Sequence, residues 1–267
     1  MKRNNRIRKQ MENKKGVLAV YLFLRFLVMV TLVLRILARD YESALICVLT
    51  LILFTMPSVL ERRLQINLPD ALEIVIMLFI FAAEILGEIQ EFYVLVPHWD
   101  TVLHTINGFL FAAIGFCMVN LLNDDPNTAM DLSPFYVAVA AFCFSMTIGV
   151  LWEFFEWAMD SWFGMDMQKD TIVTTINSVA MHPDGKNKVV SLMQIKDAVV
   201  IYADGTQQSL GLGGYLDIGL LDTMKDLFVN LIGAIVFSVI GYFYIKTKGR
   251  GKVAKMFIPT LVEKTEE

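Results

Sequence analysis

The sequence predicts an all-α membrane protein: a polytopic bundle of about six transmembrane helices with a small β-rich extracytoplasmic insertion. Apolar residues make up 56% of its 267 positions, against roughly 45–50% in soluble domains, and the mean hydropathy is positive. The excess gathers in runs of about twenty residues, each long enough at about 1.5 Å per residue to cross a hydrocarbon core about 30 Å thick. The net charge of −4 conceals a basic start, MKRNNRIRKQMENKK, and a basic stretch from Lys246 to Lys255. Beside hydrophobic runs, such ends report the retention of Lys and Arg on the cytoplasmic side rather than nucleic-acid binding.

The spans are expected at 16–38, 41–60, 71–91, 99–122, 134–159 and 222–246. The first follows a basic start, as a secretory leader would. Its apolar run exceeds the about 7–15 residues of such leaders, so it is read as a retained helix. Arg39-Asp40 turns the chain into the second span, Pro69-Asp70 opens the third, and Pro97 precedes the fourth. The loop 123–134 has the Asn, Asp and Pro content of a turn. An even number of crossings places both basic ends in the cytoplasm, together with Arg62 and Arg63. The organisation that follows is a cytoplasmic tail 1–15, helices within 16–160, an extracytoplasmic loop 161–221, a last helix 222–246 and a cytoplasmic tail 247–267.

The outer loop is too long for a turn. Ala198–Tyr202 and Thr206–Leu210 flank Ala203-Asp204-Gly205 and read as a β-hairpin with a type I′ turn at Asp-Gly. Two to four short strands are expected here as a cap. Gly211-Leu212-Gly213-Gly214 lacks the Lys-Ser/Thr ending of a phosphate loop and reads as a flexible link. Cys47, Cys117 and Cys143 are isolated within apolar runs, which argues against disulfides or a thiolate metal site.

Ionisable residues inside a bilayer are costly and usually face a bundle interior or a wet cavity. Here they recur three or four residues apart, the spacing that puts side chains on one helix face. The third span carries Glu84 and Glu88. The fourth carries Trp99, Asp100, His104 and Gly108, and the fifth Trp152, Glu153, Glu156, Trp157 and Asp160. The last carries Asp222, Thr223, Asp226, Asn230 and Gly233. Their depths agree: from the outer interface His104 lies about 6 Å below Asp100, Glu153 about 10 Å below Asp160 and Asn230 about 12 Å below Asp222. Arg25, Arg35 and Lys225 are too few to neutralise so many acids. Several carboxylates are therefore expected to be protonated, wet or bound to a cation. A carboxylate and imidazole set without thiolates suits Zn, Mn, Fe or Mg.

Each feature has a plainer alternative. His104 can be a satisfied buried histidine, and Trp99, Trp152, Trp157 and Trp162 an aromatic belt. Gly108, Gly149 and Gly233 can permit close helix packing, and Asp222-Thr223 can cap the last helix.

Taken in order, Trp99-Asp100-x-x-x-His104-x-x-x-Gly108, Trp152-Glu153-x-x-Glu156-x-x-x-Asp160 and Asp222-Thr223-x-x-Asp226-x-x-x-Asn230-x-x-Gly233 resemble the YjdF-like family of bacterial inner-membrane proteins. More distantly they resemble VanZ-like membrane proteins, which are associated with altered sensitivity to glycopeptide antibiotics. The resemblance covers about residues 70–245. It implies a helical bundle in the bacterial cytoplasmic membrane and no settled reaction.

The function expected is that of a multi-pass cell-membrane protein whose polar site binds a ligand or partner in envelope physiology. Ligand contacts are assigned to Glu84, Glu88, Trp99 and Asn230. One alternative is a metal-dependent enzyme acting on a lipid-linked envelope precursor. His104 or Glu153 would then be the general base, with a divalent metal on Asp100, His104, Glu156, Asp160, Asp222 and Asp226. The other alternative is a cation or proton carrier, against which stands the lack of an internal repeat. The lipid bilayer is the expected partner, with an envelope lipid or small molecule as ligand and no nucleic acid.

Overall fold

The computed structural model of the protein describes residues 14–64, 66–124 and 131–261. Nearly all of the basic tail 1–15, half of the loop 123–134 and the end of the tail 247–267 lie outside the described residues. The chain divides into two compact units, Met1–Gly149 with Phe228–Glu267, and Val150–Leu227.

In the first unit, α1 (Lys15–Leu37) ends on Arg39 at φ 61°. The Asp40 amide bonds to the Arg35 carbonyl and the Arg39 amide to that of Ile36, the pairing of a Schellman stop. Asp40 at once caps α2 (Tyr41–Leu53) by accepting the Ser43 amide at 3.1 Å. Pro57, which has no amide hydrogen to bond back along the helix, sits where α2 gives way to α3 (Met56–Leu64). A short strand, β1 (Ile66–Asn67), leads into α4 (Asp70–Phe81), which continues as a π-helix over Ala82–Ile89. After α5 (Phe92–Leu95) comes the long α6 (Trp99–Asp124).

Two further helices run from one unit into the other: α7 (Pro134–Phe163), and α8 (Leu220–Lys246) after the β-rich segment. The Ser133 hydroxyl accepts the Tyr136 amide at 3.3 Å and so caps α7. Beyond α8 lie α9 (Lys252–Lys255) and β8 (Thr260–Leu261). β8 is antiparallel to β1, with Ile66 opposite Leu261 and Asn67 opposite Thr260. The chain after the last helix is thus folded onto the connection before α4, and Ala254 and Ile258 are buried.

Among the described residues, five helices are long and apolar enough to cross a membrane: Lys15–Leu37, Tyr41–Arg63, Trp99–Asn120, Pro134–Phe163 and Leu220–Lys246. The expected span at 71–91 is not one of them, because it is divided between twelve α-helical and eight π-helical residues. Two ties fix its ends within the first unit. Lys14 Nζ, at the start of α1, reaches Glu61 at 2.9 Å, Glu73 at 2.7 Å and the Leu68 carbonyl at 3.2 Å. Arg35, near the end of α1, bonds to Asp40 and to the carbonyl of Ile89, both at 3.2 Å.

The second unit holds six strands where two to four were expected. β2 (Thr171–Val173) pairs with β7 (Tyr215–Asp217), β3 (Ile176–Ser178) with β4 (Val190–Leu192), and β5 (Val199–Ile201) with β6 (Gln207–Ser209). All three pairs are antiparallel, and the first encloses the other two in sequence. The β5–β6 hairpin forms where expected, with a different turn. Gly205 has φ 82° and Asp204 does not have positive φ. The Gly205 amide bonds to the Tyr202 carbonyl, and the Tyr202 amide to that of Thr206. This is a three-residue loop, a type I turn followed by a left-handed glycine, in place of the two-residue type I′ form. Asp204 accepts the amide and hydroxyl of Thr206, bonds that hold its carboxyl below the ordinary range.

Candidate functional site

Burial along each long helix orders the site residues. On α6 the buried positions include His104, Gly108, Ala112 and Phe116. On α7 they include Val137, Ala141, Ser145, Gly149, Glu153 and Glu156, and on α8 Asp222, Asp226, Asn230, Gly233 and Phe237. The three- and four-residue spacing makes each set a single stripe. Every stripe is polar at one end, small in the middle and apolar at the other end. The expected polar faces therefore lie on the buried sides of these helices, with Glu153 4%, Glu156 8%, His104 8% and Asp226 1% exposed.

In the first unit the middle of the stripes is a close helix contact. A Cβ on Gly108 would stand 2.1 Å from the Asn230 carbonyl oxygen, and one on Gly233 would stand 2.0 Å from that of Thr105. Gly149 faces the Asn230 side chain, where a Cβ would come within 2.7 Å of Nδ2. Asn230 Oδ1 accepts a hydrogen bond from Asn107 Nδ2 at 3.3 Å, and its own Nδ2 approaches the sulfur of Met146 at 3.6 Å. The Ser145 hydroxyl donates to the Gly108 carbonyl at 2.7 Å. Helices approach this closely only where both lack side chains, and the amide groups bond across the gap. Asn230, expected as a ligand contact, is thus engaged in helix packing. Asn107, three residues after His104, was not singled out in the sequence although it falls inside the quoted motif.

One turn from this contact, Asp100 Oδ1 and His104 Nε2 are 3.3 Å apart. A carboxylate beside an imidazole fixes the orientation of the ring. Trp99 is half-buried; its indole N–H donates to the Ala82 carbonyl at 3.3 Å and its ring meets Phe92 edge-on at 5.0 Å. It is built into the start of α6 and differs from Trp152, Trp157 and Trp162, which are exposed as a belt requires. Glu84 and Glu88 lie in the π-helix, where hydrogen bonds reach five residues back and a four-residue spacing falls short of a turn. Glu84 is partly buried and Glu88 exposed.

In the second unit, Lys225 Nζ bridges Asp222 at 3.0 Å and Asp226 at 3.6 Å. The Trp152 indole N–H donates to Glu156 at 2.8 Å, so the i,i+4 pair on α7 is a bonded one. Asp160 accepts the amides of Met167 at 2.6 Å and Gln168 at 2.8 Å, one on each oxygen. Asp222 also takes the Lys169 amide at 2.9 Å, while Gln168 donates to the Thr223 hydroxyl. Asp160 and Asp222 therefore tie residues 167–169 to the end of α7 and the start of α8. Gln168 gave no signal in the sequence, since it lies in an irregular stretch. Beside it Asp170 is held above its ordinary range, by burial first and then by Asp166, Asp217 and Asp160.

Cation-binding capacity thus rests on the Asp100–His104 pair in one unit and on Glu153, Glu156 and Asp226 in the other. No cysteine joins either set: Cys47 and Cys117 are buried and Cys143 is exposed, all as free thiols.

No curated protein and no solved structure matches the chain. Residues 19–247 match the family described as Predicted membrane protein (DUF2238), and the chain, with five apolar helices of membrane-crossing length among its described residues, belongs to that family.

Proposed function

We propose that this multi-pass membrane protein binds a ligand bearing positive charge through carboxylates on the buried faces of α7 and α8. The observation that carries the reading is the burial of Glu153, Glu156 and Asp226 on helices otherwise rich in apolar residues. Ionised carboxylates in such surroundings are costly, and they persist where they bind or conduct something. Asp160 and Asp222 serve here as ties for the chain between the helices, and Glu153, Glu156 and Asp226 are the binding groups proposed.

A metal-dependent enzyme is the second reading, and the Asp100–His104 contact favours it. An imidazole oriented by a carboxylate is suited to hold a divalent metal or to move a proton. Metal would supply Lewis acidity to a phosphate or acyl group of a lipid-linked envelope precursor.

The setting in this proposal is the bacterial inner membrane, crossed six times, with both termini cytoplasmic. The pairing of β1 with β8 and the reach of Lys14 to Glu61 and Glu73 support a common side for the first helix start, the α3–α4 connection and the C-terminal segment. Arg35 on the Ile89 carbonyl supports the α4 and π-helical stretch as the further crossing, since it runs between the two ends of α1. A kinship with YjdF-like and VanZ-like proteins rests on the ordered motifs alone.

The test is divalent metal content and cation-induced thermal stabilisation of the detergent-purified protein. Zn²⁺ and Mn²⁺ serve as probes, and wild type is compared with Glu153→Gln and His104→Ala. At a concentration about 100 times Kd, a cation that binds only the folded state adds about 2.7 kcal/mol. The expected result is stabilisation of wild type that Glu153→Gln abolishes; loss with His104→Ala instead favours the second reading. A wild-type midpoint indifferent to every cation, with no co-purified metal, would refute the proposal.

A further inference from the structure

The segments that join the β-rich region to its two helices carry a group of strongly exposed apolar side chains. After α7 these are Trp162 at 71% exposure, Phe163 at 69% and Met165; before α8 they are Ile218 at 81% and Leu220 at 65%. Connections of polar loops normally turn such side chains inward. The two joining segments stand together. Asp160 and Asp222 hold the amides of Met167, Gln168 and Lys169, Gly219 packs against the Gln168 side chain, and Thr171 is opposite Asp217 in the β2–β7 ladder. The exposed residues therefore form a collar at the foot of the β-rich region.

We propose that this collar is seated in the bilayer interface, with phospholipid as its occupant. Continuity argues for lipid. The exposed apolar residues of α7, Leu151, Phe154 and Trp157, lead to Trp162, whose ring meets Trp157 edge-on at 5.9 Å. On α8 the exposed Met224 and Leu221 lead in the same way to Leu220 and Ile218. Two membrane-length helices end here, and the boundary between headgroups and acyl chains is where indole rings concentrate. The β5–β6 hairpin also exposes Val199 and Ile201, but its turn is polar, Asp204-Gly205 braced by Thr206. The extracytoplasmic region is thus a membrane-seated structure whose foot is dipped in lipid and whose tip is in water.

The experiment places a diazirine-bearing photoreactive residue at position 218, 163 or 204 of the full chain. Each protein is reconstituted in vesicles of phosphatidylethanolamine and phosphatidylglycerol, irradiated, and its adducts are read by mass spectrometry. Phospholipid adducts several-fold more abundant at 218 and 163 than at 204 are expected. Equal, low labelling at all three positions overturns the proposal, as does a dominant crosslink from 218 to a second copy of the chain. Ile218 is exposed enough to accept the replacement, so position 218 decides if the position-163 protein does not fold.

Discussion

Replacing Gly233 by Ala tests the helix contact on which the buried stripes depend. The added Cβ would lie 2.0 Å from the Thr105 carbonyl oxygen and 2.8 Å from the Phe109 nitrogen, both main-chain atoms of α6. Carbon and oxygen approach no closer than about 3.3 Å even in the short contacts between neighbouring main chains. The helices must therefore part by more than an ångström, because no side chain can rotate out of the way. Overpacking usually costs about 1–3 kcal/mol, and a clash with backbone belongs at the upper end, about 3 kcal/mol. At about 2–4 °C per kcal/mol, a scale calibrated on soluble domains of similar length, the thermal midpoint should fall by about 6–12 °C. Gly108→Ala, facing the Asn230 carbonyl at 2.1 Å, should cost a similar amount. The double substitution should cost less than the sum, since one parting of the helices relieves both clashes. Gly16→Ala is the control, for nothing lies within 4 Å of its Cβ position. The assay is tryptophan fluorescence of detergent-solubilised protein during heating. Midpoints for Gly108→Ala and Gly233→Ala indistinguishable from that of Gly16→Ala would refute the packing of α6 on α8.

Other consequences are open to direct measurement. Burial acts to lower the Lys14 pKa, but the bonds to Glu73 and Glu61 outweigh it and raise the value above 10.5. Its contribution to stability is then complete below pH 10.5 and lost as pH rises through the folded-state value; Lys14→Met should thus lower the midpoint at pH 8 and converge with wild type above that range. Gly205→Ala forces a side chain into φ 82° and should loosen the β5–β6 hairpin by about 1 kcal/mol, seen as faster amide exchange over residues 199–209. The depressed carboxyls of Asp197, lowered first by its bond with Ser209, and Asp204 stabilise the same hairpin above their unfolded pKa. That protection should fade as pH falls through the still lower folded values, and Asp204→Asn should remove part of this acid dependence. Asp160→Ala should release the amides of Met167 and Gln168 and open this stretch to proteolysis, while the far hairpin keeps its protection.

Legibility in the sequence was uneven, and the reasons are physical. The spans at 16–38, 41–60, 99–122, 134–159 and 222–246 correspond to long helices, because a bilayer demands that each crossing satisfy its own backbone bonds over a set length. Those two demands are written as local composition. The polar stripes were legible as well, since three- and four-residue spacing reports which side chains share a face. The 71–91 stretch shows where composition alone does not decide: its second half is π-helical, so no single α-helix of crossing length forms there. The hairpin was marked by Asp204-Gly205, but its turn type was set by where the strands close, which the dipeptide alone does not specify.

The sequence by itself determined that this is a multi-pass membrane protein, where its long apolar helices lie, and that acids and a histidine line particular helix faces. Only the tertiary structure decided what those faces meet. Nothing in the spacing says that Asn230 bonds to Asn107, that Asp160 gives both oxygens to the amides of Met167 and Gln168, or that Thr260 is opposite Asn67. Length and composition are local, whereas the rotation of a helix about its axis is chosen by the shapes of its neighbours. Here glycines 108 and 233 make that choice, by allowing one approach of α6 to α8 that bulkier residues would forbid.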